Sequence, residues 1–257
     1  MLNILALKLL LVPSLIAAIT LSGRRWGATV AGWLSAFPIV AGPILFFIAA
    51  ERGVDFARSA SEGTMSAVIA ILVFGLAYSW AATRFAWYFS LCCGFIAYAL
   101  AVYLLTSLSP SLSMTTPVVF IALYLSPNLF PAVESTGKPP SASRFDLPMR
   151  MGIGALLVLS VTYFAATLGP RLSGLFAMFP VMSTVLVVFS HRSAGSGFAI
   201  HLLRGMVYGW YSFATFCLVL HLALLPLGIA GAFPAALTAA VVVQIASRRL
   251  LQQSKAC

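Results

Sequence analysis

Charged residues are scarce in this sequence and make up only 8% of its 257 residues. Soluble domains carry roughly 25% charged residues. Hydrophobic residues reach 61% and the mean hydropathy is +1.04. A soluble fold is excluded because it could not hide so much apolar surface. The composition predicts a protein that crosses a membrane several times and has no separate soluble domain.

Acidic residues, histidines and cysteines are also few: the chain has five, three and four of them. Acid–base catalysis needs carboxylates, histidines or a nucleophile–base pair held in position. No such constellation stands out, so we expect the protein not to be an enzyme. The cysteines and histidines lack metal-ligand spacing. We therefore expect no metal, no other cofactor and no disulfide framework.

Basic residues outnumber acidic ones by 15 to 5, which gives a net charge of +10. Such a charge raises the question of nucleic-acid binding. The basic residues are, however, scattered among hydrophobic stretches, and the excess of Lys and Arg in the cytoplasmic loops of membrane proteins explains them. We expect a lipid bilayer as the partner and no nucleic acid.

Stretches of about twenty apolar residues, the length that crosses a bilayer, occur nine times in the chain. The sequence therefore predicts an all-α integral membrane protein with about nine transmembrane helices. The predicted helices are 3–22, 27–50, 64–83, 85–106, 112–133, 149–167, 171–190, 203–224 and 227–247.

Two segments, 27–63 and 169–205, repeat each other in a constant register that aligns position 27 with position 169. Nine of 37 positions are identical, and most of the shared residues are Gly, Pro and Phe, which shape a backbone rather than carry out covalent chemistry. The identical pairs are Gly27/Gly169, Gly32/Gly174, Phe37/Phe179, Pro38/Pro180, Phe47/Phe189, Gly53/Gly195, Phe56/Phe198, Ala57/Ala199 and Gly63/Gly205. A duplicated membrane unit of this kind is typical of a transporter or channel.

The distribution of basic residues predicts the orientation of the chain. With nine spans, eleven Lys and Arg fall on one side of the membrane and four on the other, which places the N-terminus outside and the C-terminus in the cytoplasm. Five spans separate the starts of the two repeats. Because five is odd, the repeats are predicted to be inverted. The predicted units are a first repeat of about four helices (1–110), a linking helix with a cytoplasmic loop (111–148) and a second, inverted repeat of about four helices (149–257).

Each repeat contains a proline near the middle of a predicted helix, Pro38 in the first and Pro180 in the second. Proline lacks an N–H and crowds the carbonyl four residues earlier, here that of Leu34 or Phe176. A freed carbonyl in hydrocarbon must meet protein, water or a ligand. Inversion would let the two proline-broken helices cross near the bilayer midplane, where transporters bind substrates; kinks that serve packing alone are the alternative. The predicted substrate-binding residues are Ser35, Phe37, Pro38, Pro43, Phe179, Pro180, Ser183 and Thr184.

Four charged residues are candidates for gating: Glu51, Arg52, Glu62 and Arg204. Glu62 and Arg204 occupy corresponding positions of the two repeats and carry opposite charges. Inversion would place them on opposite faces of the membrane, where they would guard its two mouths. The alternative is that all four are ordinary charges in loops or at the starts of helices.

The first repeat also carries short motifs in a characteristic order. They are Phe37-Pro38, Glu51-Arg52-Gly53 and Ala57-Arg58. This order resembles the GlpM/YdgC family of small bacterial inner-membrane proteins, which have four spans. The second repeat keeps Phe179-Pro180 and Gly195 but has Ser193-Ala194 in place of the Glu-Arg pair. Family members look like dual-topology proteins that form antiparallel dimers, so the resemblance implies a bacterial inner-membrane protein in which such a dimer is fused into one chain.

Together these features predict a membrane transporter or channel for a small solute or ion, with its site at the crossing of the proline-broken helices. The alternative is a non-transporting accessory membrane protein that supports envelope polysaccharide production, since the resembled family has been linked to alginate production and glycerol metabolism genes. The identity of the substrate and the formation of a homodimer stay open at this point.

Overall fold

A computed structural model of the chain describes residues 2–108, 110–133, 145–167 and 180–253. Within these ranges the backbone forms α-helices and no strands. Five of the helices are long and apolar enough to cross a membrane. The predicted all-helical character and the predicted presence of several membrane-length helices are thereby confirmed.

Eight helices form the described part of the chain, and most match the predicted apolar stretches. They are α1 (Leu2–Trp26), α2 (Ala28–Ser35), α3 (Ala41–Arg52), α4 (Val54–Ala82), α5 (Trp87–Leu108), α6 (Leu112–Leu129), α7 (Asp146–Thr167) and α8 (Val181–Gln253). The predicted helix 27–50 is broken in its middle and forms α2 and α3. Of the predicted helix 171–190, only the part from residue 180 onward lies in the described residues.

The helix starts predicted for α4 and α7 are too late. Helix α4 begins at Val54, ten residues before the predicted start at 64, because its first turns are polar and an apolar window does not detect them. Helix α7 begins at Asp146, within the predicted loop that ends at residue 148. An acidic residue in the first turn and its ion pair with Arg150 one turn later stabilise this start.

Helix α8 covers 73 residues but is interrupted by non-helical backbone at two glycines. A straight helix of this length would measure about 110 Å, more than three times the roughly 30 Å thickness of the hydrocarbon core. The bends lie at Gly195 (φ 87°, ψ 171°) and Gly228 (φ 61°, ψ −174°). They divide α8 into a first segment (181–194), a middle segment (196–227) and a last segment (229–253).

The bend at Gly195 has a counterpart at the corresponding position of the first repeat. Gly53, which joins α3 to α4, has φ 85° and ψ 174°, almost the same conformation as Gly195. This region of backbone space is open essentially to glycine alone. Two of the glycines that the repeat shares therefore bend the chain in the same way.

Helices α1 and α7 pack against each other in opposite directions. At one end of the pair Arg24 contacts Asp146. Farther along, the side chain of Ile16 fills the space that a Cβ on Gly154 would need. Residue numbers fall along α1 as they rise along α7, so the two helices are antiparallel.

Helix α4 and the middle segment of α8 are also antiparallel. Arg58 near the start of α4 hydrogen-bonds His221 near the end of the middle segment. Near the other end, the side chain of Leu203 lies 3.6 Å from the position that a Cβ on Gly75 would take. Residue numbers again fall along one helix as they rise along the other, so the two helices are antiparallel.

Helix α2 lies directly on the backbone of the middle segment of α8. A Cβ on Gly32 would overlap the carbonyl oxygen of Leu202, and a Cβ on Gly205 would overlap that of Thr29. Small residues allow such close approach between membrane helices, where van der Waals packing drives association. Glycine at these positions is required by the packing.

We predict that Gly32→Ala lowers the free energy of unfolding by about 1–3 kcal/mol, the usual cost of overpacking. The added methyl group meets rigid backbone, so α2 must move away from α8. Thermal unfolding of the purified protein in detergent, followed by tryptophan fluorescence, measures the change. Gly63→Ala is the matched control because nothing lies within 4 Å of its Cβ position; an equal loss of stability in both variants would contradict the proposed close contact.

Candidate functional site

The first predicted helix break is present in the structure around Pro38. Helix α2 ends at Ser35, residues 36–40 form turns, and α3 begins at Ala41. Pro38 has no N–H to donate to the carbonyl of Leu34 four residues earlier. That carbonyl accepts instead from the N–H of Phe37, at 3.3 Å. The shorter loop of this bond tightens the chain and ends the helix.

The carbonyl of Trp33, which also lies at the end of α2, is bound by a side chain from α8. Gln244 donates from Nε2 to this carbonyl at 3.0 Å and accepts from the hydroxyl of Ser212 at 2.6 Å. The indole of Trp33 in turn donates to Ser247 Oγ at 2.9 Å. Gln244 is only 7% exposed, so this is a buried polar network that joins α2 to two segments of α8.

The remaining predicted residues of the first break make local contacts. The hydroxyl of Ser35 donates to the carbonyl of Gly32 within α2, at 2.7 Å. Phe37 is partly buried and packs against the hydrophobic core. Pro43 is the third residue of α3, a first-turn position where its missing N–H costs no helical hydrogen bond. The Ser35 hydroxyl and the carbonyls of Trp33 and Leu34 thus have partners within the protein.

The second predicted break lies at the edge of the described residues, which resume at Pro180. Pro180 is buried and directly precedes α8, whose first hydrogen bond runs from the N–H of Thr184 to the Pro180 carbonyl at 2.9 Å. Ser183 and Thr184 are buried in the first turn, and the Thr184 hydroxyl has no hydrogen-bond partner among the described residues. Phe179 lies outside the described residues.

Contacts beside Pro38 place the first break against the middle segment of α8. The methyl group of Ala36 lies against Gly209, and Gly42 faces the ring of Phe216. Pro180, by contrast, directly precedes the first segment of α8. The structure thus places the first break next to the middle segment of α8.

The four predicted gating charges occupy two different environments. Glu51 and Arg52 are exposed at the end of α3, and the Arg52 guanidinium lies 5.4 Å from the centre of the Phe56 ring. Glu62 and Arg204 are partly buried well inside their helices, nine residues beyond the bends at positions 53 and 195. Glu62 and Arg204 therefore do not lie in the first turns of their helices, and the gating role of all four residues stays a prediction.

Arg204 carries an unusual feature for a residue inside a membrane-length helix. Its Nε is buried and has no hydrogen-bond partner among the described residues. Neither Arg204 nor Glu62 forms an ion pair with another described side chain. A buried donor without a partner costs free energy, and charged residues within membrane helices often mark functional sites.

A charged cluster that the sequence did not predict lies between α1, α7 and α8. Arg24 and Arg150 both donate to Asp146 Oδ2, at 2.8 and 2.9 Å. Arg150 also donates to Ser193 Oγ at 3.2 Å and lies 5.2 Å from the centre of the Phe189 ring. The four-residue spacing of Asp146 and Arg150 could have indicated that they pair on one helix. Nothing in the nearby sequence indicated that Arg24 joins them.

Histidines connect α4 to α8 at two levels. Three hydrogen bonds join Arg58 and His221. Arg58 Nε donates to the His221 carbonyl at 3.2 Å, Arg58 Nη2 lies 3.1 Å from His221 Nε2, and His221 Nδ1 donates to the Arg58 carbonyl at 3.1 Å. Near the other end of α4, the hydroxyl of Tyr78 lies 2.9 Å from His191 Nδ1. These contacts hold helices together, and in the described part of the chain no group of three or more His, Cys, Asp or Glu side chains could hold a metal ion.

Comparison of the chain with known protein families, curated proteins and solved structures found no match.

We predict that Gln244→Met lowers the free energy of unfolding by about 1–3 kcal/mol, the cost of leaving buried polar groups without partners. Methionine keeps the length of the side chain, so the change removes hydrogen bonds without opening a large cavity. Thr238→Val serves as the control, because Thr238 is exposed and bonds only within its own helix. Equal melting temperatures for Gln244→Met and the wild type would refute the bridging role.

Proposed function

We propose that the protein is a membrane transporter or channel for a small solute or ion. In this proposal two inverted repeats of four spans flank a linking span, α6, and give nine spans in all. The substrate site lies where the two proline-broken helices approach each other near the bilayer midplane.

The observation that carries this proposal is the direction of the repeat-related helices. In the register that aligns position 27 with position 169, α7 corresponds to α1 and the middle segment of α8 corresponds to α4. Each pair packs antiparallel through the contacts given above. Inverted-topology repeats give equivalent helices opposite directions, and the matching bends at Gly53 and Gly195 support the same relation.

The levels of the two breaks along the bundle support a shared site. Pro180 lies fifteen residues before the bend at Gly195, and Ala36, two residues before Pro38, touches Gly209, fourteen residues after that bend. If the first and middle segments of α8 fold back on each other at the bend, both breaks lie about 22 Å from it. The two prolines would then lie at the same depth in the membrane.

The second break offers the chemistry that a substrate needs. Thr184 is 5% exposed and its hydroxyl is unpartnered in the described residues, so it is free to bind a polar group. We assign substrate contact to Thr184 and Ser183, with Ser35, Pro43 and the pair Phe37 and Phe179 as the walls. Entry and exit of the substrate would be controlled by the charged residues Glu51, Arg52, Glu62 and Arg204.

The accessory-protein alternative also has one observation in its favour. The carbonyls of Leu34 and Trp33 at the first break are bound within the protein. A kink whose polar groups are satisfied in this way can serve helix packing alone. Such a protein would support envelope polysaccharide production through a membrane partner and would move no solute.

We infer a bacterial inner-membrane location, with the N-terminus outside and the C-terminus in the cytoplasm, from the split of basic residues and from the resemblance to the GlpM/YdgC family. The contact of Arg24 and Arg150 with one carboxylate supports the placement of both on the same side.

The inversion predicts opposite accessibility for two positions beside the corresponding bends. Ala50→Cys and Ser196→Cys lie beside the bends at Gly53 and Gly195 and leave the charge distribution intact. In intact bacterial cells, with the four native cysteines replaced, an impermeant thiol reagent should label only Ala50→Cys. Labelling of Ser196→Cys alone would keep the inversion and reverse the orientation, whereas labelling of both or of neither would mean parallel repeats.

Substituting the break prolines should slow transport. In proteoliposomes, influx of potassium, chloride, phosphate and glycerol is compared for the wild type, Pro38→Ala and Pro180→Ala. A continuous helix that closes the site and raises the barrier by about 1.4 kcal/mol reduces flux about tenfold. Pro226→Ala, at an exposed position of α8, is the control for a proline outside the site.

The transporter proposal fails if folded protein moves none of these probes while a membrane partner co-purifies with it. The site assignment fails on its own if a probe moves but the two break variants transport it as fast as the Pro226→Ala control.

A further inference from the structure

The contact between Arg58 of α4 and His221 of the middle segment of α8 uses both side chains and both backbone carbonyls. The Arg58 guanidinium binds the carbonyl and the ring of His221, through Nε and Nη2. The His221 ring binds the carbonyl of Arg58 through Nδ1. The two helices are therefore joined at this end by groups that must all keep their donor or acceptor roles.

The partners of the imidazole determine its protonation state. A guanidinium can only donate, so His221 Nε2 must accept from Arg58 Nη2. A carbonyl can only accept, so His221 Nδ1 must carry the proton. One donor and one acceptor make a neutral ring. A second proton, on Nε2, would remove the acceptor for Arg58 and set two cations against each other at 3.1 Å.

Arg58 has other partners within reach when His221 no longer accepts from it. Asp55 precedes Arg58 by three residues and Glu62 follows it by four, and side chains at these spacings meet on one helix. Neither carboxylate forms an ion pair with a described side chain. Arg58 therefore has two alternative arrangements, one that bridges to α8 and one within α4.

Few other titratable groups of the described residues lie at this end of the bundle. Helix α3 ends with Glu51 and Arg52, both exposed, just before the bend into α4, and Cys217 precedes His221 by four residues on α8. Helices α2, α5 and α6 also pack against α8 and contain no Asp, Glu, Lys, Arg or His; α5 and α6 carry tyrosines and cysteines. On α1 and α7 the described charged side chains lie in or beside the cluster around Asp146, at the opposite end.

We propose that Arg58 and His221 form a pH-sensitive latch between α4 and the middle segment of α8, closed while His221 is neutral and released when it takes up a proton. Both side chains are partly exposed, so protons reach the ring from solvent. Imidazole is the side chain that ordinarily changes charge between pH 5 and 8, and its protonation opens interfaces in pH sensors. On release Arg58 turns to Asp55, and α8 near the bend at Gly228 moves away from α4. The latch acts whether or not the protein transports a solute.

The test uses the native thiol of Cys217 to report opening of the contact between α4 and α8. Cys217 is 0% exposed and lies on the same face of α8 as His221, four residues away. The other three cysteines are replaced by alanine, and the rate of reaction of the full chain with dithiodipyridine is measured in detergent at pH 8 and pH 5.5. His221→Gln is the reference, because glutamine accepts and donates hydrogen bonds but gains no proton. Dividing the two rates cancels the pH dependence of the reagent.

We expect the wild type to react about as fast as His221→Gln at pH 8 and about tenfold faster at pH 5.5, the effect of losing one hydrogen bond to a charged group. Asp55→Asn should weaken this acid response, because it removes the partner that Arg58 takes after release. Glu51→Gln, at the exposed end of α3, is the matched control and should keep the full response.

A ratio of wild-type to His221→Gln rates that is the same at both pH values would overturn the proposal. An equal acid response in Asp55→Asn and Glu51→Gln would also overturn it, because an imidazolium that merely made the nearby thiol more reactive would act alike in both. This second comparison decides if His221→Gln does not fold. No solute flux enters either measurement, so the proposed function is judged separately.

Discussion

Direct contact between the backbones of α2 and the middle segment of α8 is the constraint on which the rest of the structure depends. Gly32 on one side and Gly205 and Gly209 on the other leave no room for a Cβ. Apolar side chains cannot drive this association in lipid, where the surroundings are equally apolar, so close van der Waals fit must do so. The position of α2 then determines where the chain breaks and which groups of α8 meet the broken end.

A helix that ends in the interior of a protein must satisfy its last carbonyls without bulk water. At the end of α2 this is achieved by a side chain from far along the chain, because Gln244 binds the carbonyl of Trp33. The close packing of α2 on α8 makes the contact possible, since Gln244 must be held within reach of the backbone. At the start of α8 the hydroxyl of Thr184 has no partner among the described residues.

The helices that could be predicted from sequence are those with apolar interiors, and the break at Pro38 follows directly from the missing N–H. The start of α4 could not be predicted, because Asp55 and Glu62 make its first turns resemble a loop to any test of hydropathy. The partners of Gln244 could not be predicted either, since 211 residues separate it from Trp33. A lone glutamine in an apolar stretch indicates that a partner exists but not which one. Whether two helices pack parallel or antiparallel likewise depends on contacts between distant residues, which no local sequence pattern reveals.

The cluster of Arg24, Asp146 and Arg150 has a consequence for the history of the chain. The positions that correspond to these three in the repeat register hold Ala166, Ile4 and Lys8, so the ion pairs occur in one copy only. Two identical halves would carry such a cluster twice or not at all. In the proposed duplication the halves are therefore not interchangeable, because Arg24 of the first half completes a cluster that Asp146 and Arg150 of the second half begin.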